Sequence, residues 1–259
     1  MNAPGEVRAP DALLERILEL AGTGMVLVGG QALAFWAAYY RVPPPHAAIT
    51  KDVDLLGTKA DVVRLARGLG GTASFPHARE RTLLAGQVKK ELPGGDYVNI
   101  DVLLRVHGAL TVRTIESTAV LAANAAGRFR VLHPLDVLQG RLENLHGLSE
   151  KRDEHGVAQL RLAIALVPAF IREIAAREQA GGAGSRPPRR SVVLRHLGRI
   201  EGLALSDAGR KVARRHDVHV ADAIEPAGAR DLQAFVARKL PQLLKLMSSQ
   251  RRVELERGR

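Results

Sequence analysis

The sequence of 259 residues contains no cysteine, which excludes disulfide frameworks, thiol nucleophiles and Cys-ligated zinc or iron–sulfur sites. Aromatic residues make up only 3% of the chain, which argues against base-stacking platforms of the RRM or single-strand-binding OB type. Long apolar runs are also lacking, and no stretch reaches the roughly 20 residues that a membrane span needs. The N-terminus shows no apolar targeting segment. We therefore expect a cytoplasmic protein without membrane contact.

Acidic residues are scarce in the last third of the chain. Residues 1–180 hold 21 Lys and Arg against 19 Asp and Glu, whereas residues 181–259 hold 17 against 8. The formal net charge of +11 is therefore mostly a property of the C-terminal part. A basic segment favours a polyanionic partner, and we expect RNA or tRNA contact through residues 186–215. Because 30 of the 38 cations are Arg, a GC-rich genome is an alternative explanation that needs no ligand.

Apolar periodicity predicts an α/β part followed by an all-helical part. Short apolar or alternating stretches predict strands at 25–28, 52–56, 97–104 and 129–132, with one or two more between 82 and 92. Apolar stripes with helical spacing predict helices at 11–20, 31–40 and 61–67. From Pro134 onward the pattern is helical, at 134–148, 154–177, 191–201, 207–216 and 230–250. This order predicts a mixed sheet flanked by helices and then a helical C-terminal region.

A run of Gly, Ser and Pro around residues 180–190 can hold neither a helix nor a central strand. The charge shift coincides with it, so we place a linker there. The predicted organisation is an α/β core at 1–132, a helical extension at 133–180, a linker at 181–190 and a basic helical module at 191–259.

Three carboxylates carry the strongest chemical signal. Asp52 and Asp54 are two residues apart on a predicted strand, so they point to the same face. Asp101 stands among apolar residues on another predicted strand, where an unpaired carboxylate is costly. Like charges this close repel unless a cation lies between them, and two-metal sites use such pairs. The alternatives are a solvated edge for the pair and a structural partner for Asp101.

A glycine pair precedes the second helix. Gly29 and Gly30 follow a short buried strand and stand where a helix begins. Glycines allow backbone to approach an anion closely, and helix N-termini present free N–H groups to phosphate. By itself a glycine pair is more often just a tight turn.

Together these features resemble the nucleotidyltransferase superfamily of the DNA polymerase beta type. The resemblance rests on Val28-Gly29-Gly30, on Asp52-Val53-Asp54 with apolar flanks, and on Ile100-Asp101-Val102. The segments Gly29-Gly30-Gln31-Ala32-Leu33 and Ile49-Thr50-Lys51-Asp52 are similar to the bacterial AbiEii-like branch, which includes toxins of toxin–antitoxin pairs. The spacer between Gly30 and Asp52 is longer than in that family. Downstream helices carry Arg141 and Gln159 where such toxins have Lys and Asp.

The resemblance implies Mg²⁺-dependent transfer of a nucleoside monophosphate from an NTP to an acceptor hydroxyl. Asp52, Asp54 and Asp101 would hold two Mg²⁺ ions, and Asp101 would take the acceptor's proton. Nucleotide phosphates would bind at the glycine pair and its neighbours, namely Gly29, Gly30, Gln31, Thr50 and Lys51. An antitoxin-type protein partner follows from the same branch.

Two other functions fit the same residues. A small acceptor such as an antibiotic would replace RNA, or the chain would be an inactive binding protein with the same fold. The presence of all three carboxylates disfavours the inactive version. Salt-sensitive RNA binding through residues 186–215 would favour the RNA acceptor over the small one.

Overall fold

The computed structural model of the chain describes residues 5–77, 79–80, 82–125, 127–181, 191–225, 235 and 237–257. Within them the chain forms a mixed α/β structure with a seven-stranded sheet. The predicted α/β class is confirmed at this level. All strands lie before residue 132 in the described part of the chain, and the remainder is helical or irregular.

The sheet contains both parallel and antiparallel pairs. Its strands are β1 (Val26–Leu27), β2 (Val53–Leu56), β3 (Thr72–Ser74), β4 (Leu84–Glu91), β5 (Tyr97–Leu103), β6 (Val120–Asn124) and β7 (Gly127–Val131). They are arranged in the order β3-β4-β5-β2-β1-β7-β6. The β2–β5 and β1–β7 pairs are parallel, and the other pairs are antiparallel. Strands β3 and β6, which were not predicted, are edge strands with much exposed surface, so their apolar pattern is weak.

Most helices lie where the apolar stripes predict them. The helix at Val112–Thr118 was not predicted, and the prediction of one helix at 230–250 is wrong, because the chain leaves the helix after Leu244 and starts another at Ser249. The helices are α1 (Asp11–Ala21), α2 (Gly29–Tyr39), α3 (Lys59–Leu69), α4 (Val112–Thr118), α5 (Pro134–Gly147), α6 (Glu154–Gly181), α7 (Val192–Leu205), α8 (Asp207–His216), α9 (Leu240–Leu244) and α10 (Ser249–Arg257). Helix α6 continues through Pro168. In the described part of the chain, no helix combines the length and the apolar character that crossing a bilayer needs.

Alternation in β5 separates a core face from a polar face. Val98, Ile100 and Val102 are fully buried, whereas Asn99 and Asp101 on the other face are half-buried. Strand β2 alternates in the same way, with Val53 buried and Asp54 half-buried. Since side chains alternate along a strand, the apolar residues of both strands pack into one core and the acids share the opposite face.

Contacts divide the chain into two units. The first comprises Met1–Phe35 and Ala48–Gly140, and the second comprises Trp36–Ala47 and Arg141–Arg259. The long spacer between Gly30 and Asp52 therefore contributes most of its length to the second unit. There Tyr40 donates a hydrogen bond to Glu173 of α6 (2.7 Å), and His155 contacts the carbonyl oxygen of Ala47 (2.6 Å).

Three predicted features fall wholly or partly outside the described residues. They are the linker from residue 182 to 190, the first residues of the predicted RNA-contacting range (186–190), and the start of the helix predicted at 230–250. The predicted domain boundaries stay a prediction.

Candidate functional site

Two of the predicted carboxylates lie side by side on the sheet. Strands β2 and β5 are parallel neighbours, and Asp54 is in register with Asp101. Directly opposed residues on adjacent strands point to the same face. The sheet therefore places both carboxylates on the polar face that faces away from Val53 and Ile100.

The side chain of Asp54 lies against the backbone of Gly29, the first residue of α2. Gly29 has a positive φ of 65°, and a Cβ built on it would come within 1.8 Å of the Asp54 Oδ2 atom. A residue with a side chain would therefore clash with the carboxylate and strain the backbone. Strand β1 ends at Leu27, and Val28 N donates to Asp54 O at 2.9 Å. The glycine allows the carboxylate to approach the helix N-terminus, where free N–H groups favour negative charge.

Asp52 lies one residue before β2 and is exposed. The sequence pattern predicts a strand from residue 52, but β2 begins at Val53. Val53 is the first residue of β2 in register with β5, and a short N-terminal segment pairs with β5 further back, at Tyr97. Val7 N donates to Tyr97 O (2.9 Å), and Tyr97 N donates to Gly5 O (3.1 Å).

That N-terminal segment brings a fourth carboxylate to the site, which the sequence analysis missed. Glu6 accepts a hydrogen bond from Asn99 Nδ2 at 2.8 Å. Burial raises the pKa of Glu6, its hydrogen bond with the Asp52 carboxyl raises it further, and the Asn99 contact lowers it. No local pattern marks Glu6, because only the pairing with β5 brings it beside Asp52.

Asp101 is held by one polar neighbour and repelled by another. Gln87 Nε2, on β4, donates to Asp101 Oδ1 at 2.7 Å. Burial raises the pKa of Asp101, the Gln87 hydrogen bond lowers it, and the negative charge of Asp52 raises it. Asp52 therefore acts electrostatically on both Glu6 and Asp101, so these three carboxylates form one acidic cluster beside Asp54.

The predicted phosphate-binding residues lie along the same edge. Gly30 is buried in the first turn of α2, and Gln31 is only 3% exposed. Thr50 is half-buried and precedes β2. Lys51 is exposed, and its Nζ atom donates to the Glu6 carbonyl oxygen at 3.3 Å. Lys51 thus contacts the N-terminal segment that also carries Glu6.

The acidic cluster fits a hard cation in its chemistry. All of its donor atoms are carboxylate oxygens, the ligands that Mg²⁺ prefers. Besides burial, the negative charge of Asp52 raises the pKa of Glu6 and that of Asp101, as expected for neighbouring carboxylates. In the described part of the chain, however, no group of three or more His, Asp or Glu side chains could hold a metal ion as it stands. Metal binding by Asp52, Asp54 and Asp101 stays a prediction.

Two further polar residues have structural roles. Asp136, in the first turn of α5, is completely buried and accepts a hydrogen bond from Thr118 Oγ1 at 2.5 Å. His133 Nδ1 accepts from Leu135 N at 3.1 Å, so it caps the start of α5.

In the second unit, Arg141 Nη1 donates to Gln159 Oε1 at 2.8 Å. Arg141 and Gln159, the two downstream departures from the sequence resemblance, therefore bind each other.

No family model matches the sequence, and no curated protein matches it either. One solved structure is similar, described as "Crystal structure of JHP933 from Helicobacter pylori". It is 12% identical, with a TM-score of 0.35, and the match covers 90% of this chain and 92% of that one.

Proposed function

We propose that the chain is an Mg²⁺-dependent nucleotidyltransferase of the DNA polymerase beta superfamily, in its AbiEii-like branch. It would move a nucleoside monophosphate from an NTP to an acceptor hydroxyl. One observation carries the proposal: Asp54 is in register with Asp101 on adjacent parallel strands and lies against Gly29 at the start of α2. This arrangement of carboxylates, glycine turn and helix N-terminus supports the proposal.

The start of α2 is the proposed seat of the triphosphate. The first N–H groups of a helix have no intrahelical acceptor, and phosphate oxygens satisfy them well. Gly29 and Gly30 would donate to the β and γ phosphates, since neither residue carries a side chain of its own. Lys51 would supply a positive charge nearby once it releases the Glu6 carbonyl. Its present contact at 3.3 Å is long and exposed.

Asp52, Asp54 and Asp101 are the proposed Mg²⁺ ligands. When bound, Mg²⁺ neutralises triphosphate charge and lowers the pKa of the acceptor hydroxyl. The chain's own proton acceptor would be Asp101. Gln87 orients the carboxylate through Oδ1, so the proton would go to Oδ2.

The proposed acceptor is RNA, with a tRNA end as the proposed position of transfer. The chain would act in the cytoplasm as a toxin that has an antitoxin-type partner. The support is the basic charge of residues 181–259, which a small antibiotic would not require.

Labelling with each of the four α-³²P NTPs, Mg²⁺ and total RNA tests the function. We expect label in RNA from one or two NTPs, lost when EDTA is added. A parallel reaction without RNA detects self-labelling, and one with aminoglycosides tests the small-acceptor alternative. No label in any reaction, with protein that is folded by circular dichroism, would contradict the proposal.

A further inference from the structure

Helix α8 presents four cations on its solvent side, with one exposed acid, Asp207, among them. Arg210, Lys211, Arg214 and Arg215 are exposed, whereas Val212 and Gly209 are buried. At about 100° per residue, the four cations span an arc of about 140° opposite the buried residues. We call these four residues the basic face. The buried side of α8 packs closely against α7, because a Cβ on Gly209 would come within 2.2 Å of the Leu203 carbonyl oxygen.

Little negative charge neutralises the basic face. The Lys211 Nζ atom lies 2.8 Å from Asp207 Oδ2, one helical turn away, and both side chains are exposed. Among the described residues, neither Arg214 nor Arg215 forms an ion pair. Arg152 adds positive charge at the end of the helix. Burial lowers the pKa of His216, and the charges of Arg215 and Arg152 lower it further.

A recess opens beside this face. Its volume is about 180 Å³, several times the roughly 30 Å³ that a water molecule occupies, so a phosphate group fits. Three cations line it: Arg210 and Arg214 of α8, and Lys245 after α9. None of the lining residues in the described part of the chain is Asp or Glu. Small apolar residues form most of the remaining wall. His219 also lines the recess, and its Nδ1 atom lies 2.9 Å from the Leu246 carbonyl oxygen.

We propose that the basic face and this recess dock the phosphate backbone of RNA, with one phosphate seated between Arg210, Arg214 and Lys245. This inference rests on the proposed function, because it gives the RNA acceptor a place on the chain. Guanidinium groups donate paired hydrogen bonds to phosphate oxygens, and the grouped positive charge favours a polyanion such as RNA. With few aromatic residues in the chain, the surface would read the backbone and not stack on bases.

RNA binding without NTP or Mg²⁺ tests the docking surface separately from the chemistry. Fluorescence anisotropy would compare a labelled RNA hairpin with the wild type and with the triple variant R210Q/R214Q/K245Q. We expect the triple variant to bind at least about 10-fold more weakly near 100 mM salt. The slope of log K against log salt should become shallower by about 1, because the three residues share one phosphate contact.

A matched control carries the same change in net charge elsewhere. K59Q/R67Q/R113Q removes one Lys and two Arg that are exposed in the first unit. We expect its affinity to change less than 3-fold and its salt slope to stay the same. Equal losses in both variants, or no loss in the triple variant, would overturn the proposal. Equal wild-type affinity for polyglutamate, or competition by free NTP as strong as by RNA, would overturn it too.

The binding assay and the labelling assay fail independently. If R210Q/R214Q/K245Q transfers nucleotide to RNA and also binds RNA as tightly as the wild type, the docking surface is contradicted and the transferase proposal is not. RNA binding without any nucleotide transfer contradicts the transferase instead.

Discussion

Charge is arranged differently in the two units. In the first, Glu6, Asp52 and Asp101 crowd together on the polar side of β5, where burial and then the negative charge of Asp52 raise the pKa of Glu6 and that of Asp101. In the second, several acids pair with arginine or lysine. Arg172 binds Glu225 at 2.9 Å, Arg251 binds Glu254 at 3.0 Å, and Lys239 binds Glu201 at 2.6 Å. Four cations lie together on the solvent side of α8.

Both units thus keep one cluster of like charges, acidic in the first and basic in the second. Such clusters reduce stability through repulsion, and a ligand of opposite charge relieves that repulsion. The comparison suggests a division of labour, with cation and nucleotide chemistry in the first unit and polyanion docking in the second. Variants that alter one cluster and spare the other test this division.

The largest effect is expected at Asp54. D54N should reduce nucleotide transfer on the order of 10³-fold, because a cation ligand beside the triphosphate is lost. Its RNA affinity should stay at the wild-type value and its thermal stability should hold or rise, since one repelling charge is gone. The labelling assay, anisotropy and a thermal melt give these three values. D11N, an exposed acid in α1, is the control, and D54N with wild-type transfer would remove Asp54 from the site.

Loss of the buried Asp136–Thr118 contact should be the largest purely structural effect. T118V leaves a fully buried carboxylate without this donor, so we expect about 1–3 kcal/mol lower free energy of unfolding. Urea denaturation followed by circular dichroism measures it. R113Q, at an exposed position on the same helix, should change stability by less than about 0.5 kcal/mol. Equal losses in the two variants would show that the Asp136 contact adds nothing.

A smaller effect is expected at Glu6. E6Q removes a negative charge that contacts Asp52, so the Mg²⁺ concentration for half-maximal transfer should rise about 3- to 10-fold. The free energy of unfolding in EDTA should hold or increase by up to about 1 kcal/mol, because the carboxyl–carboxyl contact is relieved. E116Q, an exposed acid on α4, should leave the Mg²⁺ requirement unchanged. If E6Q also leaves it unchanged, Glu6 only anchors the N-terminal segment.

The smallest effect concerns His216. Its pKa in the folded chain lies below the ordinary 6.5, so the unfolded chain binds the proton more tightly. The stability that neutral His216 contributes is full above pH 6.5 and is lost as the pH falls toward the lowered pKa. H216Q should therefore lose less stability than the wild type between pH 7.5 and pH 5, by less than about 1 kcal/mol. Urea midpoints at both pH values measure the difference, and parallel losses would contradict it.

The face shared by Asp54 and Asp101 was predictable because its signals are local. Strand alternation around each residue sets its face before any packing is known. Glycine at position 29 likewise indicates a backbone that needs a positive φ or a close approach, and the structure has both. The predicted start of β2 was wrong by one residue, because Val53 is the first residue in register with β5 and Asp52 lies before the strand.

The sequence by itself determined the α/β order, most helix and strand positions and the excess of positive charge near the C-terminus. Those properties follow from apolar periodicity and composition, which neighbouring residues express without tertiary contacts. Tertiary structure alone decided that Glu6 joins Asp52, that residues 36–47 belong with the helical unit, and that Lys245 completes a recess with Arg210 and Arg214. Each of these depends on pairing between segments distant in the chain, and such pairing leaves no periodic trace in the sequence.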